Sequence, residues 1–309
     1  MSRPTRLSGV LSPVITPFDE QLAPDAKRLA RQCHWLLSQD TGLAVFGTNS
    51  EANSLSTDEK IELLDSLVAD GVDPYRMMPG TGCCALTDTV KLTRHAVELG
   101  CAGVLMLPPF YYKEVSDDGL FRSYAEVIER IGSDALQIYL YHIPPISNVS
   151  LSLDLVERLI TAYPDNLAGI KDSSGDWTNT ESMLERGWDG FQVFAGSESF
   201  LLRVMRAGGA GCISATANVN PAAINDLYCN WQADNAGEKQ QALDELRSIV
   251  QSFPMIPALK AIVADYSGDS AWSRVRPPLV ELDNKQVASL TLQLRAAGFA
   301  MPGLDVSTS

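Results

Sequence analysis

Eight short apolar runs divide this chain, and the stretches between them carry helical periodicity. The runs are GVLSPVITPF (9–18), GLAVFGTNSE (42–51), RMMPGTGC (76–83), GVLMLPPFYY (103–112), QIYLYHIP (137–144), LAGIKDSS (167–174), FQVFAGSE (191–198) and GCISATANVNP (211–221). Short apolar runs bounded by turn residues read as buried strands, and strands alternating with helices make parallel βα units. Eight such units close a (β/α)8 barrel, and a span of roughly 215 residues suits that fold. An open doubly wound sheet would carry a glycine-rich phosphate turn after its first strand, where this chain has SPVITPFDE. Helices are expected at Thr57–Leu67, Leu86–Leu99, Gly119–Ile131 and Leu153–Tyr163, the first opened by a capping box from Ser56 to Glu59. From Pro221 to Leu304 there is no strong strand signal, and helices are expected near 222–233, 236–253, 257–266 and 284–297. The expected division is therefore a barrel over 1–220 and a C-terminal helical segment over 221–309 packed on it, ending in a frayed DVSTS.

Composition excludes several classes of function. Hydrophobic residues make up 45% of the chain and charged residues 20%, enough for a sizeable core. The net charge of −14, from 24 basic and 38 acidic side chains, argues against binding a nucleic-acid backbone, which needs basic patches. No apolar run approaches the length of a membrane span, and Met1 to Gly9 lacks the apolar core of a signal peptide, so a cytoplasmic protein is expected. The six cysteines form no CxxC pair and the three histidines are scattered, which predicts a reducing compartment and chemistry without metal or cofactor. The cysteines read as small core residues.

In a barrel the active site forms at the carboxyl ends of the strands. Those ends carry Thr48, Asn49, Ser50 and Glu51 after the second run and Tyr141 and His142 in the fifth. Lys171 and Asp172 close the sixth run, Gly196 and Glu198 the seventh, and Ser214 with Thr216 and Asn218 the eighth. Taken alone, a strand-end lysine is ordinarily surface decoration and Tyr141 a core aromatic. Yet Lys171 follows LAGI, and an amine in an apolar pocket becomes a nucleophile toward carbonyls. Tyr141 precedes it by 30 residues, one βα unit, and a phenol beside an amine is an acid–base partner for an imine. The glycine-flanked turn at Thr48 and Asn49 offers hydroxyl, amide and backbone N–H groups suited to a carboxylate. Together these residues suit Schiff-base chemistry on a 2-keto acid. Glu51 reads as a brace for its loop and Asp172 as structural. His142 either contacts substrate or is a satisfied loop histidine. Gly196, Glu198 and Ser214 are further candidates for substrate contact.

On these residues the chain resembles the pyruvate-dependent class I aldolase superfamily that includes dihydrodipicolinate synthase and N-acetylneuraminate lyase. GTNSE stands in the place of G-[ST]-T-G-E, YHIPPIS in the place of Y-N-x-P, and GIKDSSGD surrounds the lysine. The resemblance implies that Lys171 forms the Schiff base, Tyr141 shuttles protons, and the Thr48 hydroxyl relays them. It also implies that backbone N–H groups of Thr48 and Asn49 hold the substrate carboxylate. Tyr111, in PPFYYK, matches a tyrosine that reaches into a neighbouring subunit, and members are commonly homotetramers built as dimers of dimers. On the residues alone, Tyr111 and Tyr112 are equally readable as a packed loop.

Several positions depart from the family pattern. Ser50 replaces the motif's glycine, Asn49 its second hydroxyl residue, and His142 the usual asparagine. Ile146 stands where dihydrodipicolinate synthases carry an arginine for the second substrate's carboxylate, and isoleucine cannot make that charge-assisted contact. Three functions stay open: a lyase joining or cleaving pyruvate and an aldehyde, a dehydratase of 2-keto-3-deoxy sugar acids using the same lysine, and a non-catalytic ligand-binding descendant. Retention of both Lys171 and Tyr141 weighs against the third.

Overall fold

In the computed structural model, which describes residues 6–304, the strands are short and pair in parallel. They are β1 (Gly9–Ser12), β2 (Gly42–Leu43), β3 (Val104–Met106), β4 (Ile138–His142), β5 (Leu167–Asp172), β6 (Gln192–Ala195) and β7 (Gly211–Ile213). The described chain forms two compact units, each drawn from separated stretches. One comprises residues 6–9 with Asp73–Ile213, the other Val10–Val72 with residues 214–304.

The first unit holds β3 to β7 side by side in chain order. Each of these strands is almost wholly buried, which explains why they read as apolar runs without alternation. The strand expected at 76–83 is reduced to one bridge, Gly80 to Leu105, bounded by bonds from Leu105 N to Pro79 O and from Thr81 N to Leu105 O. Pro79 has no N–H to extend that ladder. The helices Leu86–Glu98, Asp117–Ile131 and Leu153–Ala162 fall where the periodicity predicts them. Two more, Trp177–Glu185 and Leu201–Arg206, are too short to have shown a clear period.

The second unit contains the β1–β2 pair, joined at Leu11–Gly42 and Ser12–Leu43. Its helix Thr57–Ala69 opens with the expected capping box: Glu59 N donates to Ser56 Oγ and Ser56 N to Glu59 Oε2. The helix Ala26–Ser38, between the first two apolar runs, buries Leu29, Cys33 and Leu36, a stripe interrupted in the sequence by Lys27, Arg28 and Arg31. After residue 214 the helices are Pro221–Cys229, Ala236–Gln251, Met255–Ser267 and Asn284–Ala296, close to the four expected. The DVSTS tail lies outside the described residues. The cysteines divide: Cys33, Cys101 and Cys212 are buried, but Cys84 and Cys229 are exposed and Cys83 is half-buried. Cys84 lies in a loop and Cys229 at the end of a helix, positions the apolar reading of cysteine does not capture.

Candidate active site

Strands β4 and β5 pair Tyr141 directly with Lys171 and His142 with Asp172. Side chains alternate across a strand, so the first pair shares one face of the sheet and the second pair the other. Lys171 is only 3% exposed. Its Nζ donates to Tyr141 Oη at 3.2 Å and lies 4.3 Å from the centroid of that ring. Beyond Lys171 across the sheet stands Phe194, its register partner on β6. Tyr139, two residues before Tyr141 on the same face, packs edge-on against Phe194 at 5.9 Å between centroids. Gly169 makes this packing possible, because a Cβ there would fall 2.8 Å from Tyr139 Cδ1 and 2.3 Å from Gln192 O. Tyr139 Oη accepts from Leu7 N at 2.7 Å, and burial pushes its phenol up to about 12. Lys171 therefore rises from an aromatic floor, with the Tyr141 hydroxyl within reach of its amine.

The opposite face is structural. Asp172 accepts from Ser174 N at 2.9 Å, Asn179 Nδ2 at 3.0 Å and Thr180 Oγ1 at 2.6 Å, tying the end of β5 to the following helix. His142 is buried, and its Nδ1 accepts from Leu151 N at 3.1 Å, which leaves Nε2 to carry the proton in the neutral ring. Burial holds its pKa below the usual histidine value, against an opposing upward pull from Asp172. Of the two readings left open for His142, the satisfied structural histidine is the one its contacts match. Gly196 lets the next loop approach: its N donates to Asp172 O at 2.7 Å, and a Cβ would fall 2.0 Å from Ser173 Oγ. Glu198 opens a short 3-10 turn and is 1% exposed.

The remaining candidates are on other segments of the chain. Tyr111 is on the surface of the first unit, 74% exposed and stacked edge-on against Tyr112. Ile146, 60% exposed, sits on the short helix Pro144–Ser147. Thr48 and Asn49 belong to the second unit, in a 3-10 turn over Thr48–Ser50. Ser50 has a role of its own there: its Oγ accepts from Gly47 N at 3.1 Å and its carbonyl from Thr16 Oγ1 at 2.7 Å. The turn's own bonds engage the N–H groups of Ser50, Glu51 and Ala52, and the N–H of Asn49 is left over from them. Ser214, fully buried at the end of β7, accepts from Arg247 Nη1 at 3.2 Å in the second unit.

Sequence reasoning passed over Arg247 and, more notably, Lys260. The second lysine lies in PALKAIV on the helix Met255–Ser267, is fully buried, and forms an ion pair with Glu51. A lysine inside an apolar run was the signal that singled out Lys171, and the same signal would have found Lys260. Among the described residues no group of His, Cys, Asp and Glu side chains is placed to hold a metal ion, and no helix is long and apolar enough to cross a membrane.

Comparison with known proteins gives the family and the fold. The model of the dihydrodipicolinate synthetase family matches residues 6–297. A DapA-like lyase from Chloroflexus aurantiacus is 30% identical over 285 residues, covering 91% of this chain and 94% of that protein. The crystal structure of dihydrodipicolinate synthase from Agrobacterium tumefaciens is 32% identical and superposes with a TM-score of 0.87, covering 94% of this chain and 99% of that one. YagE from Escherichia coli K12, a prophage protein of the dihydrodipicolinic acid synthase family crystallised with pyruvate, is 25% identical with a TM-score of 0.87, covering 95% and 99%. The fold is thus a (β/α)8 barrel with a C-terminal helical extension.

Proposed function

The chain belongs to the dihydrodipicolinate synthetase family and is a lyase of the class I aldolase type, and from that premise we propose how its own residues do the chemistry. The substrate is pyruvate or the pyruvyl half of a larger 2-keto acid, with an aldehyde as second reactant or product. The observation that carries this reading is the bond between Lys171 Nζ and Tyr141 Oη on a buried, aromatic-lined face. That YagE was crystallised with pyruvate supports the choice of keto acid.

The Lys171 lone pair attacks C2 of the keto acid to give a carbinolamine, which loses water to form the iminium. Tyr141 is the group in reach of that nitrogen to donate and retrieve the protons the two steps require. Tyr141 then takes a C3 proton to give an enamine, which adds to an aldehyde carbon whose oxygen takes that proton. Water hydrolyses the product iminium to free Lys171, and the reverse order cleaves the same bond. Thr48 and Asn49 are proposed to hold the keto-acid carboxylate, Thr48 to relay protons, and Gly196, Glu198 and Ser214 to line the substrate path. Tyr111 is proposed to serve a neighbouring chain's site in a homotetramer. The barrel is assigned to 1–220 and the helical extension to 221–309, in a cytoplasmic enzyme consistent with its acidic charge.

Borohydride trapping with a panel of 2-keto acids, read by intact mass and peptide mapping, tests the reading. A reduced adduct on Lys171 with pyruvate is the expected result. An adduct on another lysine, or none with any keto acid, would sink it.

A further inference from the structure

Glu51 and Lys260 form an ion pair whose side chains are both fully buried. Taking two charges out of water costs several kcal/mol per ion, so a buried pair gives little net stability over apolar residues of the same shape. What such a pair supplies is position, because each charge must keep its partner. The surroundings of this one are fixed on every side. Glu51 Oε1 rests against the Lys260 ammonium and has no other hydrogen-bond partner among the described residues, while Oε2 accepts from Arg276 N at 2.9 Å. Lys260 Nζ also donates to Arg274 O at 2.6 Å and lies 4.3 Å from the centroid of the Phe18 ring. Arg276 continues the clamp, donating to Leu22 O at 2.8 Å, Ser54 O at 2.6 Å and both carboxylate oxygens of Glu59.

The segment held in this way is the turn that carries Thr48 and Asn49. Glu51 is in the left-handed region at φ 55°, between two 3-10 turns, a conformation a residue with a side chain keeps only under constraint. Its N–H donates to Thr48 O at 3.1 Å, so its placement passes through one hydrogen bond to the start of the turn. Glu51 and Lys260 reach the turn without touching substrate, because the Thr48 carbonyl that accepts from Glu51 N belongs to the same peptide group as the Asn49 N–H.

We propose that the buried Glu51–Lys260 pair is a positioning device that sets the Thr48–Asn49 turn for the substrate carboxylate. This rests on the Schiff-base reading above, and the two are tested separately. The unaltered protein is first saturated with pyruvate and with acetone, a ketone lacking the carboxylate, under borohydride. Half-saturating concentrations are read from adduct mass. If the unaltered protein takes no pyruvate adduct on Lys171, the Schiff-base reading fails and the positioning role falls with it. Given that adduct, Glu51→Gln and Lys260→Met are measured in the same way, with folding followed by circular dichroism.

The expected result is a preference for pyruvate over acetone reduced roughly 10- to 100-fold, the size of a misplaced charge-assisted hydrogen bond. The change should lie in half-saturation and not in the limiting rate of adduct formation. A purely structural role would lower thermal stability and leave the preference intact, and that outcome overturns the proposal. Equal weakening toward both ketones overturns it as well. Should either variant fail to fold, Glu51→Asp takes its place, since it keeps the charge and shortens its arm by one methylene. The same loss of preference is expected there, and an unchanged preference counts against the pair.

Discussion

Lys171 Nζ lies 3.2 Å from Tyr141 Oη, and the parallel register of β4 and β5 pairs the two residues directly. The amine and the phenol it donates to are thus set by backbone hydrogen bonds and not by loop conformation. Lys171→Ala removes the nucleophile from a face packed by Tyr139 and Phe194, and the protein is expected to fold but to take no adduct and show no turnover. Tyr141→Phe keeps the ring and loses the hydroxyl. Turnover should fall by on the order of 10² to 10⁴, with adduct formation slowed in proportion. Stopped-flow trapping of both variants checks these outcomes, and an undiminished Tyr141→Phe would remove the phenol from the mechanism.

His142 gives the fold an acid-sensitive point. Its folded pKa is below the unfolded value of 6.5, so between the two the unfolded chain binds the proton and the folded chain does not. The stability of the neutral ring is therefore complete above pH 6.5 and is lost as the pH falls below it. His142→Asn retains an acceptor for Leu151 N without a titrating ring. Urea unfolding between pH 7.5 and 5 should show a steeper loss in the unaltered protein than in the variant. Parallel curves would mean that His142 does not titrate on unfolding.

Gly169→Ala should be among the more damaging substitutions for its size. The new methyl would fall 2.3 Å from Gln192 O and press on the Tyr139 ring. Overpacking of this kind costs about 1–3 kcal/mol, measurable as a lowered denaturation midpoint. The displaced aromatic floor should also slow adduct formation on Lys171.

Ile146 predicts what the enzyme does not do well. It presents an exposed apolar side chain on the short helix Pro144–Ser147, with no cation to offer a second substrate's carboxylate. Condensation of pyruvate with aspartate semialdehyde should be poor in a coupled assay, and Ile146→Arg should improve it. Robust activity in the unaltered protein would show that the missing guanidinium is supplied elsewhere.

Tyr111 tests the assembly. It is exposed in the single chain, as a residue that serves another subunit must be. Mixing inactive Lys171→Ala with impaired Tyr111→Phe subunits, after proven exchange, should restore part of the activity. No recovery would confine Tyr111 to its own chain or remove it from the chemistry.

The alternation of apolar runs with helical stretches was decided by the sequence, because burial on both faces of a parallel strand and the 3.6-residue period of a packed helix each leave a one-dimensional trace. Lys171 was legible only in company, since a strand-end lysine alone is ordinarily solvated and it was Tyr141 one βα unit upstream that marked it. The third run shows where that trace fails: RMMPGTGC is apolar enough for a strand, yet Pro79 withholds an N–H and only one bridge forms. Tertiary structure alone decided which side chains meet. The register of β4 on β5 turned a spacing of 30 residues into a bond and put His142 on the face away from Lys171. Glu51 and Lys260, roughly two hundred residues apart, carry no local signal of their pairing. Their pairing exists because folding buries both charges, and a buried charge is stable only beside its opposite.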